Sequence, residues 1–329
     1  MTPAPKPLAF ALLRLLADGE FHSGQVLARQ LGMSRASVNN ALRDMDAYGL
    51  ELYSVRGRGY CLARPAHWLD AGRIADGLGR LRRQFFLEVL DSAPSSNTLL
   101  LQRAAQGAPV GSVLAVEWQS GGRGRLGRTW HSSLGNSLTF SLLWRFDCGV
   151  SGLSGLSLAV GVAMMRALRG LGVENAGLKW PNDVLGENGK LAGILIEAQG
   201  DMLGPCAVVI GIGLNLSLPR AASGQIDQPV ASLADMLEET PERNYLLAVL
   251  LKELHKVLGE FGAHGFAAMR AEWERYHAWQ DRPVQLLLPD GGSVTGIARG
   301  VAGDGALELE TGEGMRRFNS GEIGLRSVA

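Results

Sequence analysis

The chain reads as α+β, with three units in series: a small helical module with a β-hairpin, a larger mixed-sheet domain, and a small β-barrel. Three observations carry that reading. Residues 1–64 hold three short apolar periodicities of helical spacing and then a hairpin pattern. Residues 83–280 alternate strand-like and helix-like runs, and beyond Arg282 only short strands separated by glycine turns remain. At 329 residues the chain is about twice a typical single domain, so two or three cores are expected.

Charge and composition narrow the function classes. With 32 basic and 32 acidic residues, zero net charge and 46% hydrophobic content, a disordered tail, a collagen-like chain and a polycation are excluded. Any nucleic-acid contact must be local. The longest apolar run, Leu153 to Met165, is too short to cross a bilayer, and the N-terminus shows no signal-peptide pattern. A cytoplasmic location without membrane contact is expected. Cys61, Cys148 and Cys206 are widely spaced and odd in number, which argues against a disulfide framework or a zinc site and for buried or inert thiols.

In the first unit (1–64) the helical patterns are Leu8, Leu12, Leu15 and Leu16; then Val26, Leu27 and Leu31; then Val38, Leu42 and Met45. Gly32 suits a left-handed stop and Ser34 an N-cap, which leaves the short connection of a helix-turn-helix. On the third helix Arg35, Asn39 and Arg43 fall at i, i+4 and i+8 opposite the apolar stripe, with Ser37 and Asn40 beside them. Arginine and asparagine make paired hydrogen bonds to base edges in the major groove. The hairpin Leu50 to Leu62 carries Arg56-Gly57-Arg58-Gly59 at its tip, a cationic wing suited to phosphates. Ser34, Arg35, Ser37, Asn39, Asn40, Arg43, Arg56 and Arg58 are therefore the candidate DNA contacts. Eight basic and five acidic residues give this unit +3. So modest a charge implies weak binding by one module and useful affinity only from two on one DNA. A winged helix used for protein contact, or one without a DNA role, is the alternative.

Residues 65–82 show no clear period beyond a possible short helix and read as a linker. In the second unit (83–280) strands are expected at Ser112 to Trp118, Ser137 to Trp144, Leu178 to Trp180, Leu191 to Glu197 and Ala207 to Asn215. Helices are expected from Leu153 to Arg169, over 242–262 and over 264–278. The last unit (281–329) has turns at Asp290-Gly291-Gly292, Gly303-Asp304-Gly305 and Thr311-Gly312.

The most unusual stretch is Gly121 to Trp130, with four glycines, Arg123, Arg125 and Arg128, and no acid. Gly122, Gly124 and Gly127 match G-x-G-x-x-G, and Gly122 to Thr129 nearly match a P-loop with Arg128 for its lysine. Both motifs need a helix N-terminus after the loop, whereas here an alternating strand pattern follows. The loop reads instead as a cationic flap, costly to order and closed by an anion; a solvated arginine-rich hairpin is the bland alternative. Lys179 to Asp183 ends a strand in a Pro-Asn-Asp turn, Lys190 to Glu197 starts the returning strand, and Gly211-Ile212-Gly213-Leu214-Asn215 ends a buried strand. Glycines in apolar strands admit a second backbone or a flat ligand, although each alone is as well explained by a bulge.

Taken together and in order, these segments resemble the biotin protein ligases, and with the helix-turn-helix the repressor-type members of that family. The resemblance spans nearly the whole chain, with Ser95-Ser96-Asn97 standing for the family's Ser-Thr-Asn. It implies a biotin/lipoate-ligase-like mixed-sheet catalytic domain and an SH3-like C-terminal barrel. It also implies activation of biotin by ATP and Mg²⁺ to biotinyl-5′-AMP and transfer to a lysine of a biotin carboxyl carrier protein. Carried over, Ser95, Ser96, Asn97 and Gln119 bind the biotin head group, Arg123, Gly124 and Arg125 close over the acyl phosphate, Lys190 meets the carboxylate and α-phosphate, and Gly193 leaves biotin room. Lys190 and Arg125 are the catalytic pair. Gly122, Arg128, Trp130, Asn182, Asp183 and Asn215 are assigned to ATP and adenylate, with a turn-capping role equally open to Asn182 and Asp183. No dedicated protein metal site is implied, magnesium arriving with ATP. The repressor-type members further imply operator DNA near biotin genes and a homodimer when the adenylate is bound.

The sequence departs from that pattern in places. Leu126 and Thr129 stand where the repressor-type loop commonly has basic residues, and no aromatic near Pro229 and Val230 matches the tryptophan that some members place over the adenylate. The alternatives are a ligase whose N-terminal unit does not regulate and a catalytically dead, metabolite-responsive transcription factor. Intact Lys190 and Arg125 argue against the latter, and the absence of R-R-x-S-G-G-G argues against lipoate.

Overall fold

The computed structural model describes residues 4–43, 45–218 and 228–325. Helix α1 (Pro7–Leu15) opens on a proline, whose missing N–H costs nothing in a first turn. Helix α2 (Gly24–Gln30) is capped by Ser23, and α3 (Arg35–Leu42) by Ser34, whose Oγ accepts from the Ser37 N–H. Between them Gly32 takes the left-handed conformation, φ +64°. Strands β1 (Leu52–Val55) and β2 (Gly59–Leu62) pair antiparallel as the wing. Phe10, Leu12, Leu13, Leu27, Val38 and Leu42 form the module's core. Two details correct the sequence reading. Val26 is 43% exposed, Leu27 and Ala28 being the buried face of α2, and α3 ends at Leu42 with Arg43 already extended (φ −68°, ψ 144°).

The stretch read as a linker carries helix α4 (Ala71–Leu78), capped by Asp70. Its Ile74 and Leu78 sit in the central core, so the possible short helix of the sequence reading is part of the central domain.

The central sheet is built, among the described residues, from β3 (Phe86–Ala93), β4 (Ser112–Gln119), β5 (Ser137–Phe146), β6 (Gly177–Lys179), β7 (Asp183–Gly186), β8 (Gly189–Gly200) and β9 (Cys206–Asn215). Their order is β3-β4-β5-β9-β8-β7-β6, with β3 and β4 parallel and the other neighbours antiparallel. Helix α5 (Ser96–Ala105) covers one face, setting Leu100 and Ala104 on Leu143, Ala207 and Val209. Helices α6 (Leu156–Gly170) and α7 (Arg243–His264) cover the other with Phe140, Leu142 and Ile210. The stretch Val150–Gly170 is the one helical stretch among the described residues long and apolar enough to cross a membrane, and most of it is buried inside the protein. The helix expected over 264–278 is a 3₁₀ turn, Phe266–Met269, followed by α8 (Arg270–Tyr276). Burial pushes the thiols of Cys61 and Cys206 up, as an inert thiol requires, but Cys148 is exposed.

The C-terminal unit is an antiparallel sheet of β10 (Pro283–Leu287), β11 (Ser293–Val301), β12 (Leu307–Thr311), β13 (Gly314–Phe318) and β14 (Glu322–Leu325), in the order β13-β12-β11-β10-β14. The Trp180 indole N–H donates to the Gly305 carbonyl at 3.0 Å and ties this unit to the turn after β6.

The N-terminal module docks on the central domain. Trp118 and Leu134 belong to the module's own core, Tyr48 meets Trp118 edge-on at 5.1 Å, and Asn136 Nδ2 donates to the Gly49 carbonyl at 2.8 Å. Beneath the joint Glu117 accepts from Arg243 at 2.6 Å and from the Leu69 N–H at 2.6 Å, and Arg243 also donates to the His67 and Ser137 carbonyls. A buried pair so fully hydrogen-bonded fixes the path of the chain between the two units.

Candidate functional site

The ends of β4, β7, β8 and β9, the start of α5 and the flap before β5 surround one cavity. The flap is a folded loop: the Trp130 N–H donates to the Gly122 carbonyl at 2.9 Å and the Gly124 N–H to the Arg128 carbonyl at 2.7 Å. Its tip, a short 3₁₀ turn Arg125–Gly127, holds Leu126 in left-handed backbone (φ +55°) with 72% of its surface exposed. Such a conformation is strained for a side-chain-bearing residue. Strand β5 follows, so neither phosphate-loop reading applies.

The cavity floor comes from glycines. A Cβ on Gly213 would stand 2.3 Å from the Trp130 indole, and one on Gly211 2.2 Å from the Asn97 amide. Only bare backbone lets the indole lie on β9 and Asn97 enter from α5. At Gly193 an added Cβ would meet the Lys190 terminus at 3.1 Å.

Ser95, Ser96, Asn97 and Gln119 line one end of the cavity. Ser95 caps α5, accepting from the Thr98 N–H, and the Ser96 N–H donates to Gln119 Oε1 at 2.7 Å. Arg123, Gly124, Arg125 and Arg128 reach it from the flap, with Trp130 behind them. At the far end lie Asn182, Asp183, Lys190 and Gly193. Lys190 Nζ is 2.8 Å from Asp183 Oδ1, an ion pair off hydrogen-bond geometry that leaves the carboxylate oxygen without a hydrogen bond. Arg125 donates to Asn182 Oδ1 at 3.3 Å, and the Asn182 amide donates to the Ile194 carbonyl at 2.8 Å.

Two expected residues stand elsewhere. Asn215 does not line the cavity: its amide donates to the carbonyls of Lys190 and Ala231, both at 3.2 Å. It holds the Lys190 backbone, which also pairs with the chain at Pro229 and Val230. Gly122 serves the flap's own turn, since a Cβ there would strike the Trp130 carbonyl at 2.5 Å. One residue was missed. Glu197, at the end of the Lys190-to-Glu197 segment, accepts from Arg123 at 2.6 and 2.9 Å and from the Asn97 amide at 3.0 Å. An acid closing an apolar run was its only signal.

On the N-terminal module Arg35, Asn39, Asn40, Arg43, Arg56 and Arg58 are all exposed. Several are held locally. The hydroxyls of Ser34 and Ser37 lie 2.9 Å apart, Arg43 donates to Asn40 at 2.9 Å, Tyr60 donates to Asn39 at 3.1 Å, and Arg58 lies 3.9 Å over the Phe21 ring.

Comparison with known proteins agrees with this architecture. Residues 89–215 match the biotin/lipoate A/B protein ligase family, residues 281–326 the biotin protein ligase C-terminal domain, and residues 9–61 an HTH domain. The chain is 38% identical to the bifunctional ligase/repressor BirA of Escherichia coli (strain K12) over 96% of its length and 97% of that protein. It is 35% identical to the biotin--[acetyl-CoA-carboxylase] ligase of Mycobacterium tuberculosis over 78% of its length and 95% of that protein. Among solved structures, the biotin protein ligase of Aquifex aeolicus in complex with biotin and ATP superposes with TM-score 0.63 at 28% identity, covering 73% of this chain and 97% of that one.

Proposed function

The chain belongs to the biotin protein ligases that carry a DNA-binding domain, and from that premise we propose how its own residues perform the family's work. It is a biotin--[acetyl-CoA-carboxylase] ligase and a transcriptional repressor. The observation that carries the residue assignments is the convergence of Ser96, Gln119, Arg123, Arg125, Asp183 and Lys190 on one cavity from five separate segments.

The reaction has two steps. A biotin carboxylate oxygen attacks the α-phosphorus of ATP, pyrophosphate leaves, and the mixed anhydride biotinyl-5′-AMP forms. A carrier lysine amine then attacks the acyl carbon, AMP leaves, and an amide bond forms. The first step drives two anions together, so the enzyme's task is to neutralise charge and align the reactants. Lys190 and Arg125 do this at the carboxylate and α-phosphate, and Arg123 and Arg128 add charge from the flap. In the absence of substrate these cations hold protein partners, Asp183 for Lys190 and Glu197 for Arg123. The Arg123–Glu197 pair is partly exposed and worth only about 0–1 kcal/mol, so an incoming anion replaces it at little cost, whereas the more buried Lys190–Asp183 pair opens only as the substrate's own charge takes the place of the carboxylate. Trp130, flat on Gly213, is the platform for the adenine ring.

Asp183, which pairs with Lys190 in the absence of substrate, is the acid that the described cavity lining would offer to Mg²⁺ alongside the phosphates of ATP. The ion supplies charge neutralisation at the phosphates. The substrates are biotin, ATP and a biotin carboxyl carrier domain. Operator DNA is the partner of the α3 face and wing, and closure of the flap over the adenylate favours a homodimer that presents two modules to an inverted repeat. The assignments leave the enzyme in the cytoplasm, where its carrier and operator are found.

The test is incubation of the purified protein with biotin, ATP, Mg²⁺ and a carrier domain, followed by mass spectrometry. One biotinyl group on a single carrier lysine is expected, and adenylate accumulation when the carrier is omitted. An unmodified carrier with no pyrophosphate released would overturn the assignment.

A further inference from the structure

The head-group end of the cavity carries a chain of polar contacts whose direction is fixed from one end. Asn97 Nδ2 lies 3.2 Å from the Leu195 carbonyl oxygen and 3.0 Å from a Glu197 carboxylate oxygen. Both partners only accept, so the amide must turn its two N–H groups to that side. Asn97 Oδ1 then faces Ser141 Oγ at 2.5 Å. Reversing the amide would set its oxygen against two acceptors.

Ser141 is fully buried, and its oxygen also stands 2.7 Å from Ser96 Oγ. Each of these two short oxygen–oxygen approaches needs a proton. Asn97 Oδ1 has none to give, so Ser141 spends its single proton there, and Ser96 must donate the other. The Ser96 hydroxyl therefore turns only lone pairs to the cavity. Beside it, Gln119 has its Oε1 held by the Ser96 N–H and keeps its amide N–H₂ for a ligand. One acceptor next to one donor is the complement of the N–H and C=O of a cyclic urea.

We infer that Glu197 and Ser141 are positioning residues for substrate recognition: acting through Asn97, they make Ser96 an obligate acceptor and so restrict the site to a ring that bears an N–H. The inference rests on the reading of this cavity as the biotin site. Its physical basis is that a buried acceptor left unpaired discriminates strongly against a ligand lacking the donor. Because Glu197 also holds Arg123, Ser141 gives the cleaner cut: no described contact joins it to the flap.

The experiment measures pyrophosphate release at saturating ATP with the full chain. Wild-type turnover with biotin is the control. If wild type forms no adenylate, the ligase assignment falls, and with it the cavity's identity. Given an active wild type, S141A and E197L, which remove the hydroxyl and the acceptor of this chain, are each expected to raise the biotin KM about tenfold, as for one buried hydrogen bond, with kcat within about twofold. The S141A/E197L double variant is expected to be no worse than the weaker single, since both cut one chain. A biotin analogue methylated at its ureido nitrogens supplies a second readout: wild type and S141A are expected to use it equally poorly. If S141A is too unstable to assay, E197L against this analogue decides, a preserved preference for biotin counting against the inference. An unchanged biotin KM in S141A at the wild-type Tm, or single effects that multiply in the double variant, overturns it.

Discussion

Trp130 lies on Gly213 so closely that no side chain can exist there: an added Cβ would stand 2.3 Å from the indole ring. Gly213→Ala must therefore displace the tryptophan from β9. Overpacking of this kind costs about 1–3 kcal/mol. If Trp130 is the adenine platform, the ATP KM rises at least tenfold while biotin binding without ATP is little changed. Equal losses in both would show the glycine to be structural only.

Lys190→Ala is expected to abolish adenylate formation, a loss of at least about a hundredfold in kcat, with circular dichroism and Tm close to wild type. Lys190 is half-buried beside Asp183 and takes no part in the apolar core. Normal adenylation by the variant would remove Lys190 from the mechanism.

The ion pair of Glu117 and Arg243 has side chains exposed by 0% and 5%. Removing one partner leaves a buried charge without its counter-ion, which costs about 3–5 kcal/mol. Glu117→Ala should lose that much in urea unfolding at pH 7. Because Arg243 and Glu117 also hold His67 and Leu69, proteolysis between the module and the central domain should quicken.

His277 is buried against Trp273, its ring Nδ1 3.2 Å from Gln280 Oε1 and its Nε2 without a partner. Burial holds its pKa below the usual histidine value, outweighing the raising effects of Gln280, Glu274 and Asp281. The folded protein thus binds the proton less readily than the unfolded chain. Above about pH 6.5 the group has no effect, and stability falls as pH drops from there toward the folded pKa. His277→Gln should flatten that limb of a Tm-against-pH curve; an identical slope in both proteins would rule His277 out as its source.

Arg35 and Arg56 are exposed on the recognition helix and wing. Arg35→Ala should cost operator binding about 1–3 kcal/mol and relax sequence preference. Arg56→Ala should weaken all sequences alike and lower the salt slope by about one. With biotin and ATP present, wild-type binding should tighten; indifference to both ligands would defeat the corepressor reading.

The motifs legible in the linear chain are those whose chemistry demands rare residue types at the ends of strands. Glycines alternating with arginines, two of five lysines in one hairpin, and Gly211 and Gly213 inside an apolar run all announced the cavity. Local capping rules likewise placed Gly32 and Ser34 and so the turn of the DNA-binding module. Helix α4 was legible only as a possible short helix and the end of α3 not at all, because its last turn holds too few apolar positions to fix a boundary. The two carbonyls that Asn215 serves were not legible either, because a strand-end amide is equally suited to a ligand and to backbone partners.

What the sequence by itself determined is most of the strands and the long helices, though not β3 or α5, together with the order of the three units and the chemistry gathered at the loops, since these follow from local periodicity, turn residues and charge. Only the tertiary structure decided what the polar residues of β5 do. Ser137, Thr139 and Ser141 alternate with Leu138, Phe140 and Leu142 as a half-solvated strand would, yet all three are buried. The reason is that β5 is central, with α6 and α7 on its apolar face and α5 on the other, so each hydroxyl needs a protein partner. Ser137 finds the Ser133 carbonyl, Thr139 the Val116 carbonyl, and Ser141 the chain that runs from Asn97 to Glu197. Burial of both faces of one strand, a property of long-range packing, turned an unremarkable alternation into part of the site.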